Sequence, residues 1–360
     1  MRYNYAIIGG GASGLMLAAL VDLNKCKATG VIYEATSVLG SKILMSGGGR
    51  CNITHDGSIK DFLQAYGEAG KFLRKSLYKH NNLELIRWLE QELPTVSEEG
   101  RVFPAGFKAS DVLNFLLKKV KSNGWTIQSG CKIARLEEVD ADDIIVACGG
   151  ITYPETGSDG SMLKILAEIG VNIVEPRSAL APIKIKDYPY SQLAGVSVKD
   201  VTVSIEGSGK THRCSGDILF THNGFSGPAV LNISKYAAPG DRISINYRKR
   251  PEELPKRLYK AIEERSRGAS GDIRTKALSR MLENDFFTVG SVDSRGMVTH
   301  GGVALSEINP ATMELRPHLY AIGEVIDADG ITGGYNLQMC YSTAATVADT
   351  ILKARSEQES

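Results

Sequence analysis

None of the six cysteines pairs in a CxxC motif; they lie scattered at positions 26, 51, 131, 148, 214 and 340. That spacing excludes a disulfide framework and makes a reducing, cytoplasmic location the expectation. No His/Cys cluster has metal-ligand spacing, so no metal is expected. Charge of one sign is also missing. With 42 basic against 41 acidic residues the net charge is +1, which provides no broad basic surface for phosphate backbones or acidic lipids. Neither nucleic acid nor membrane is therefore an expected partner, and nothing in the sequence sets an oligomeric state. Long apolar runs are absent apart from Tyr5 to Leu23, and Gly9, Gly10, Gly11 and Gly14 interrupt that one. A single Arg precedes it and no small-residue cleavage site follows, so it reads as neither a leader nor a lipid-spanning helix. What remains is a 360-residue chain with 42% hydrophobic and 23% charged residues, enough for a substantial core and two or three domains.

The glycines that break the N-terminal run form a pattern of their own. Residues 4 to 8, NYAII, read as a short buried strand and Ala12 to Leu23 as a helix, with Gly9, Gly11 and Gly14 spelling GxGxxG at the junction. In that context the first glycine makes the tight turn. The second lets a pyrophosphate approach the backbone, and the third lets the helix pack on the strand. A second strand, Gly30 to Tyr33, ends in Glu34. This acid stands about 20 residues beyond the glycines, where a carboxylate accepts ribose hydroxyls. Strand, glycines, helix, strand and acid together point to a dinucleotide. Nicotinamide and flavin enzymes share this unit, so it does not say which one.

Other segments favour a flavin. Leu319 to Glu324 reads LYAIGE, an apolar strand ending in Gly323 and an acid, similar to a second signature of large FAD enzymes in which the acid binds the ribityl chain. Gly330 to Gln338, GITGGYNLQ, leads into an expected helix at Ala344 to Leu352, whose free N–H groups would face the flavin. Ile144 to Gly150, IIVACGG, reads as a strand stopping at paired glycines. No second GxGxxG occurs, so a nicotinamide donor, NAD(P)H, would act only transiently and without a dedicated Rossmann unit. Ser41 to His55, SKILMSGGGRCNITH, suits neither helix nor strand, and its three glycines suggest a close approach to something else.

These motifs, with ACGGITYPETGSDG at 147 to 160, LFTHNGFSGPAVLNIS at 219 to 234, THGGV at 299 to 303 and GEVIDADGITGGYNLQ at 323 to 338, resemble the flavoprotein family typified by YhiN and BaiN. That family is described as aminoacetone oxidase-like or NAD(P)/FAD-dependent oxidoreductases. The resemblance runs nearly end to end. It implies an α/β fold, a Rossmann-type FAD-binding domain interrupted by an insert with a β-barrel-like part and a helical part. By the same resemblance the GGGRCN loop lies along the FAD, and the cofactor-binding residues are Gly9, Gly11, Ala12, Ser13, Gly14, Glu34, Ala35, Ser41, Lys42, Gly48, Gly49, Arg50, Asn52, Ile133, Gly149, Gly323, Glu324, Asn336 and Leu337. Lys42 and Arg50 would neutralise phosphate or stabilise reduced flavin. Two departures from the family pattern are Cys148, where Thr is common, and His300 at a variable place.

Texture along the chain sets the boundaries. Lys60 to Leu93 has helical spacing, Ser110 caps an expected helix ending near Gly124, and strands are expected about Thr126 and Ile133. From Ser178 short alternating strands take over, followed by a charged helical stretch from Pro251 to Glu283. The FAD-binding domain is thus expected at 1–177 and 298–360. The insert occupies 178–297, barrel-like at about 178–235 and helical at about 250–285. Ser226 is flanked by glycines but lacks the GxSxG spacing of a nucleophile elbow. The catalytic candidates are His222, Asn336 and Tyr335, with Tyr153 and His300 as further pocket residues and Cys51 as a small packed one. The expected activity is FAD-dependent exchange of hydride between flavin N5 and a small organic substrate, by amine oxidation or enone reduction. A flavin-dependent tRNA-modifying enzyme, which calls for a basic stripe, and a non-catalytic redox-sensing flavoprotein are the alternatives.

Overall fold

The computed structural model describes residues 2–207, 209–248, 250–266 and 272–359. It divides into two compact units, Met1–Pro176 with Val298–Ser360, and Arg177–Met297.

The first unit is built on a six-stranded sheet. Its spatial order is Glu314–Arg316, Leu319–Ala321, Ala141–Val146, Tyr3–Ile8, Gly30–Glu34 and Thr126–Ser129. All neighbours are parallel except the pair at the Glu314–Arg316 edge. The central strands are runs of Ile, Val and Ala, and Ala6, Ile7, Val31, Ile32, Ile145 and Val146 lie wholly buried, as expected for a sheet covered on both faces. Register then dictates the rest. Ile8 pairs with Tyr33 and with Val146, and Ala321 pairs with Val146. Gly9, Glu34, Ala147 and Ile322 therefore lie side by side at the sheet's carboxyl edge, the end where doubly wound sheets bind ligands, with Ala35 next after Glu34.

Two long helices back this edge. Ala12–Leu20 is buried along nearly its whole length, from Ser13 to Ala19, and packs on the helix Tyr335–Glu359. The latter begins nine residues earlier than Ala344, which puts Tyr335, Asn336 and Leu337 in its first turn. Two other expectations need correction. The helix Ala109–Ser122 starts after Lys108, so Ser110 lies inside its first turn instead of capping it. Ile133 is buried in an irregular stretch, because the strand Thr126–Ser129 ends at Gly130, whose φ is +68°.

The second unit is a closed six-stranded barrel in the order Ser197–Gly207, Lys210–Phe220, Gly224–Ser226, Ile183–Ile185, Asp285–Val292 and Arg242–Asn246. The barrel is not confined to about 178–235. Its closing strands lie on either side of the helices Lys256–Arg265 and Asp272–Glu283. The physical reason is the alternation of RISIN and DFFTVGSV, which turns Ile243, Ile245, Phe287 and Val289 inward. Among the described residues no helix is long and apolar enough to cross a membrane.

Candidate functional site

Each glycine of the first turn has a separate role. Gly9 takes φ +110°, and a Cβ there would sit 2.5 Å from Ala147 O. A Cβ on Gly14 would sit 2.0 Å from Gly9 O, so this glycine lets the helix settle on the strand. A Cβ on Gly11, in contrast, would meet nothing within 4 Å. Gly11 is also the N-cap of Ala12–Leu20, and no side chain caps that helix. Its first N–H groups, those of Ala12 and Ser13, thus face an open cradle at the positive end of the helix.

Glu34 lies beside this cradle. Its side chain is buried, and Oε2 accepts from Gly10 N–H (2.9 Å) while Oε1 accepts from Thr36 N–H and Thr36 Oγ1 (both 2.8 Å). A carboxylate has room for about four such bonds, so capacity remains for a ligand hydroxyl. The chain leaving Glu34 runs through Ala35, and Glu34 O accepts from Cys131 N–H at 2.8 Å, which brings the Ile133 segment alongside. Gly157 and Gly149 complete the wall. A Cβ on Gly149 would press on Ser158 Oγ at 2.9 Å. That Ser158 hydroxyl is buried and has no hydrogen-bond partner, an unusual condition that a bound polar group would relieve.

A second cluster forms where the strand Leu319–Ala321 ends. Gly323 packs directly on Ser13. Glu324 receives Lys42 Nζ on both oxygens (2.9 and 2.8 Å), and its Oε1 also receives Thr299 N–H (2.9 Å) and Thr152 Oγ1 (3.1 Å). Lys42 also bonds Thr152 Oγ1 at 2.7 Å. The two residues named separately from the sequence are therefore partners of each other, and Thr152 and Thr299 join them unannounced. Ser41 starts the short helix that carries Lys42, with its hydroxyl donating to Val38 O.

The GGGRCN loop follows that helix. Gly47, Gly48 and Gly49 take φ of +57°, +66° and +87°, a left-handed run that only glycine adopts without strain. Around the Cβ positions of Gly48 and Gly49 the space is open, apart from Leu44 O at 4.0 Å from the latter. Arg50 turns away to stack on Phe103 and Phe107, at 4.4 and 5.2 Å from its guanidinium, with Glu98 3.5 Å away. Asn52 ties this loop to the next. With its amide nitrogen toward Thr54 O (2.9 Å) and its oxygen toward Gly334 N (3.1 Å), it links the loop to the segment entering Tyr335–Glu359.

The catalytic candidates are divided between the two units, Tyr335 and Asn336 in the first and His222 in the second. Tyr335 is buried, stacked on His55 at 5.4 Å and edge-on to Phe62 at 5.0 Å. Asn336 directs both ends of its amide to Gly330, accepting from its N–H at 2.9 Å and donating to its O at 3.0 Å. Leu337 packs against the core. His222 belongs to the barrel unit, exposed in the turn between Lys210–Phe220 and Gly224–Ser226. Cys51 is fully buried, and burial pushes its thiol up to about 11. Among the described residues no group of three His, Cys, Asp or Glu is placed to hold a metal.

A parallel sheet whose first helix opens on an uncapped glycine turn, beside a buried acid, is the geometry of a Rossmann-type unit. The comparisons place it further. Residues 3–350 match the family described as HI0933-like protein Rossmann domain, and the chain belongs to that family of flavoproteins. A ribosomal RNA dihydrouridine synthase of Escherichia coli K12 is 28% identical, over 99% of each chain. A 3-dehydro-bile acid delta(4,6)-reductase of Clostridium scindens is 27% identical, over 94% of this chain and 96% of that one. Among solved structures, a 3-ketosteroid delta1-dehydrogenase of Sterolibacterium denitrificans shares the fold with a TM-score of 0.51 at 10% identity, covering 98% of this chain and 99% of its own.

Proposed function

We propose that this chain, a flavin-dependent oxidoreductase by family, holds FAD along the carboxyl edge of its sheet and saturates a carbon–carbon double bond conjugated to a carbonyl. The observation that carries the first part is the open cradle at Gly11, which no side chain of the protein fills. The cradle suits a pyrophosphate at the N–H groups of Ala12 and Ser13, Glu34 suits the adenosine ribose, and the orphaned Ser158 hydroxyl suits a polar group of the same ligand. Gly48 and Gly49 leave room for the rest of the molecule, and Glu324, whose four bonds come from Lys42, Thr152 and Thr299, would exchange one of them for a ribityl hydroxyl.

When bound, reduced FAD supplies hydride. The choice of acceptor rests on what two relatives' names share. A dihydrouridine synthase adds hydrogen across the uracil double bond, which is conjugated to a carbonyl, and a delta(4,6)-reductase of a 3-oxo steroid does the same to an enone. Reduction of a conjugated double bond is therefore favoured over amine oxidation. A nicotinamide donor without a dedicated Rossmann unit is the proposed source of electrons.

The test has two stages. Denatured protein should release FAD, identified by chromatography. Protein reduced under anaerobic conditions should then be reoxidised by a conjugated enone or by ribosomal RNA lacking dihydrouridine, the two acceptors separating a small-molecule enzyme from an RNA-modifying one. Release of another cofactor, or a reduced flavin that persists with every enone and with the RNA, rejects the proposal.

A further inference from the structure

One carboxylate–imidazole pair lies outside the cradle and has no role so far. His300 Nδ1 is 2.7 Å from Asp329 Oδ1; the Asp329 side chain is 5% exposed, while the His300 side chain keeps 23% of its surface. A nearly buried carboxylate thus pairs with a ring that keeps part of its surface exposed.

Hydrogen bonds and close backbone contacts surround this pair. His300 lies on the strand Val298–Val303, one residue after Thr299. Thr299 is fully buried, donates its N–H to Glu324 and accepts from Ile151 N–H at 2.8 Å, so His300 follows about 3.8 Å of chain from the Lys42–Glu324 cluster. Gly301 and Gly302 come next, with φ of +94° and +127°. A Cβ on Gly301 would meet Glu175 O at 2.6 Å, and one on Gly302 would meet Val325 O at 2.5 Å, so chain presses on this strand directly from two sides. Gly301 N–H also donates to Asp327 Oδ1 at 3.1 Å. Asp329 is fixed in turn by its neighbour, since Asn336 clasps Gly330 through both N–H and O.

We infer that His300 Nε2 delivers the proton that completes the reduction, with Asp329 as its positioning residue and the Asn336 clasp holding Asp329 in place. This rests on the conjugated-double-bond reading above. A carboxylate at Nδ1 keeps a proton on that nitrogen, which leaves Nε2 as the atom that gives and takes one. Bound reduced FAD would supply the hydride that forms the new C–H bond at the β-carbon of the acceptor, with the π electrons moving toward the carbonyl oxygen. The α-carbon then takes the proton from Nε2; that N–H bond breaks as the second C–H bond forms. Neutral imidazole remains, its Nδ1 proton toward Asp329, and solvent restores the proton on Nε2.

Two measurements test this. The first needs no turnover: nitrogen-15 NMR of histidine-labelled protein should show neutral His300 protonated on Nδ1, and Asp329→Ala should shift it toward the Nε2–H form. A wild-type neutral ring whose single proton sits on Nε2 overturns the inference. The second follows reoxidation of dithionite-reduced protein by 2-cyclohexen-1-one and by an unmodified ribosomal RNA transcript. His300→Gln should retain FAD and accept electrons from dithionite normally, yet be reoxidised about 10²- to 10⁴-fold more slowly, with Asp329→Asn in between. His300→Gln reoxidised as fast as wild type overturns the proton role and leaves the proposed reaction standing. Wild type that neither acceptor reoxidises overturns the reaction and the proton role together.

Discussion

Asp285 in the barrel and Glu34 in the Rossmann-type unit are both almost fully buried carboxylates, but they are satisfied in opposite ways. Asp285 is enclosed by side chains. Arg265 Nη1 donates to Oδ1 at 2.7 Å, and the hydroxyls of Tyr190 and Tyr247 donate to Oδ2 at 2.7 and 3.1 Å. Arg265 itself lies over the rings of Tyr190 and Phe287. Burial pushes the Asp285 carboxyl above its usual range, and the Arg265 charge pulls it partly back. Glu34 is held by two backbone N–H groups and one hydroxyl of its own turn, with no charged partner among its hydrogen bonds and with capacity remaining. The barrel closes its charge on itself, which ties the helix Lys256–Arg265 to the strand Asp285–Val292. The Rossmann-type unit leaves acceptor capacity on Glu34, an uncapped helix N-terminus at Gly11 and a Ser158 hydroxyl without a partner. A closed network marks structure; an unfinished one marks a site.

The largest expected effect follows from breaking the closed network. Asp285→Ala strands a partly buried guanidinium and leaves two buried tyrosine hydroxyls without their acceptor. Removing one partner of a buried pair costs about 3–5 kcal/mol, so urea denaturation of this variant should show the barrel unit unfolding well before the parent. A loss below about 1 kcal/mol would mean that the network is solvated and that the contrast with Glu34 is false.

Next come changes on the open side. Glu34→Ala removes a charged acceptor, and a hydrogen bond to a charged group is worth about 1.5–3 kcal/mol. FAD affinity should fall roughly ten- to a hundredfold by titration. Gly11→Val fills space that the protein itself leaves empty, so its thermal unfolding without cofactor should match the parent while FAD binding is lost. Unfolding at the parent temperature with parent FAD affinity would place the cofactor elsewhere.

Local chemistry decided what could be read in the sequence. Gly9 and Gly14 are legible because each answers to a turn or a helix contact within a few residues, Gly11 keeps their spacing, and Glu34 stands at the end of the next strand. The sheet follows from apolar runs that end in glycine. Partners brought together only by folding were not legible: Lys42 meets Glu324 across 282 positions and His300 meets Asp329 across 29. Ser158 sits within ACGGITYPETGSDG, yet nothing in its neighbours announces a hydroxyl left without a partner. The barrel's extent was hidden because its last two strands bracket a charged helical stretch that masks their pairing.

The smallest effect concerns thiols, and it reads the two units separately. Burial pushes Cys340 up to about 12 and Cys51 up to about 11, the latter opposed by a hydrogen bond from Ser46; both lie in the Rossmann-type unit. Cys214, partly exposed in the barrel, is also raised by burial. A thiol near 9 when unfolded and near 11 or 12 when folded holds its proton more tightly in the folded state. Its contribution to stability is therefore complete below about pH 9 and is lost as the pH climbs through the folded values. Because the thiolate is the nucleophile, folded protein at pH 8 should leave Cys51 and Cys340 unlabelled by iodoacetamide, as peptide mass spectrometry would record. In Asp285→Ala the label should enter Cys214 first while those two stay protected, which shows the barrel opening by itself. Rapid labelling of Cys51 in the folded parent would point instead to a reactive thiol in the glycine loop, and equal labelling of all three in the variant would mean that the units unfold as one.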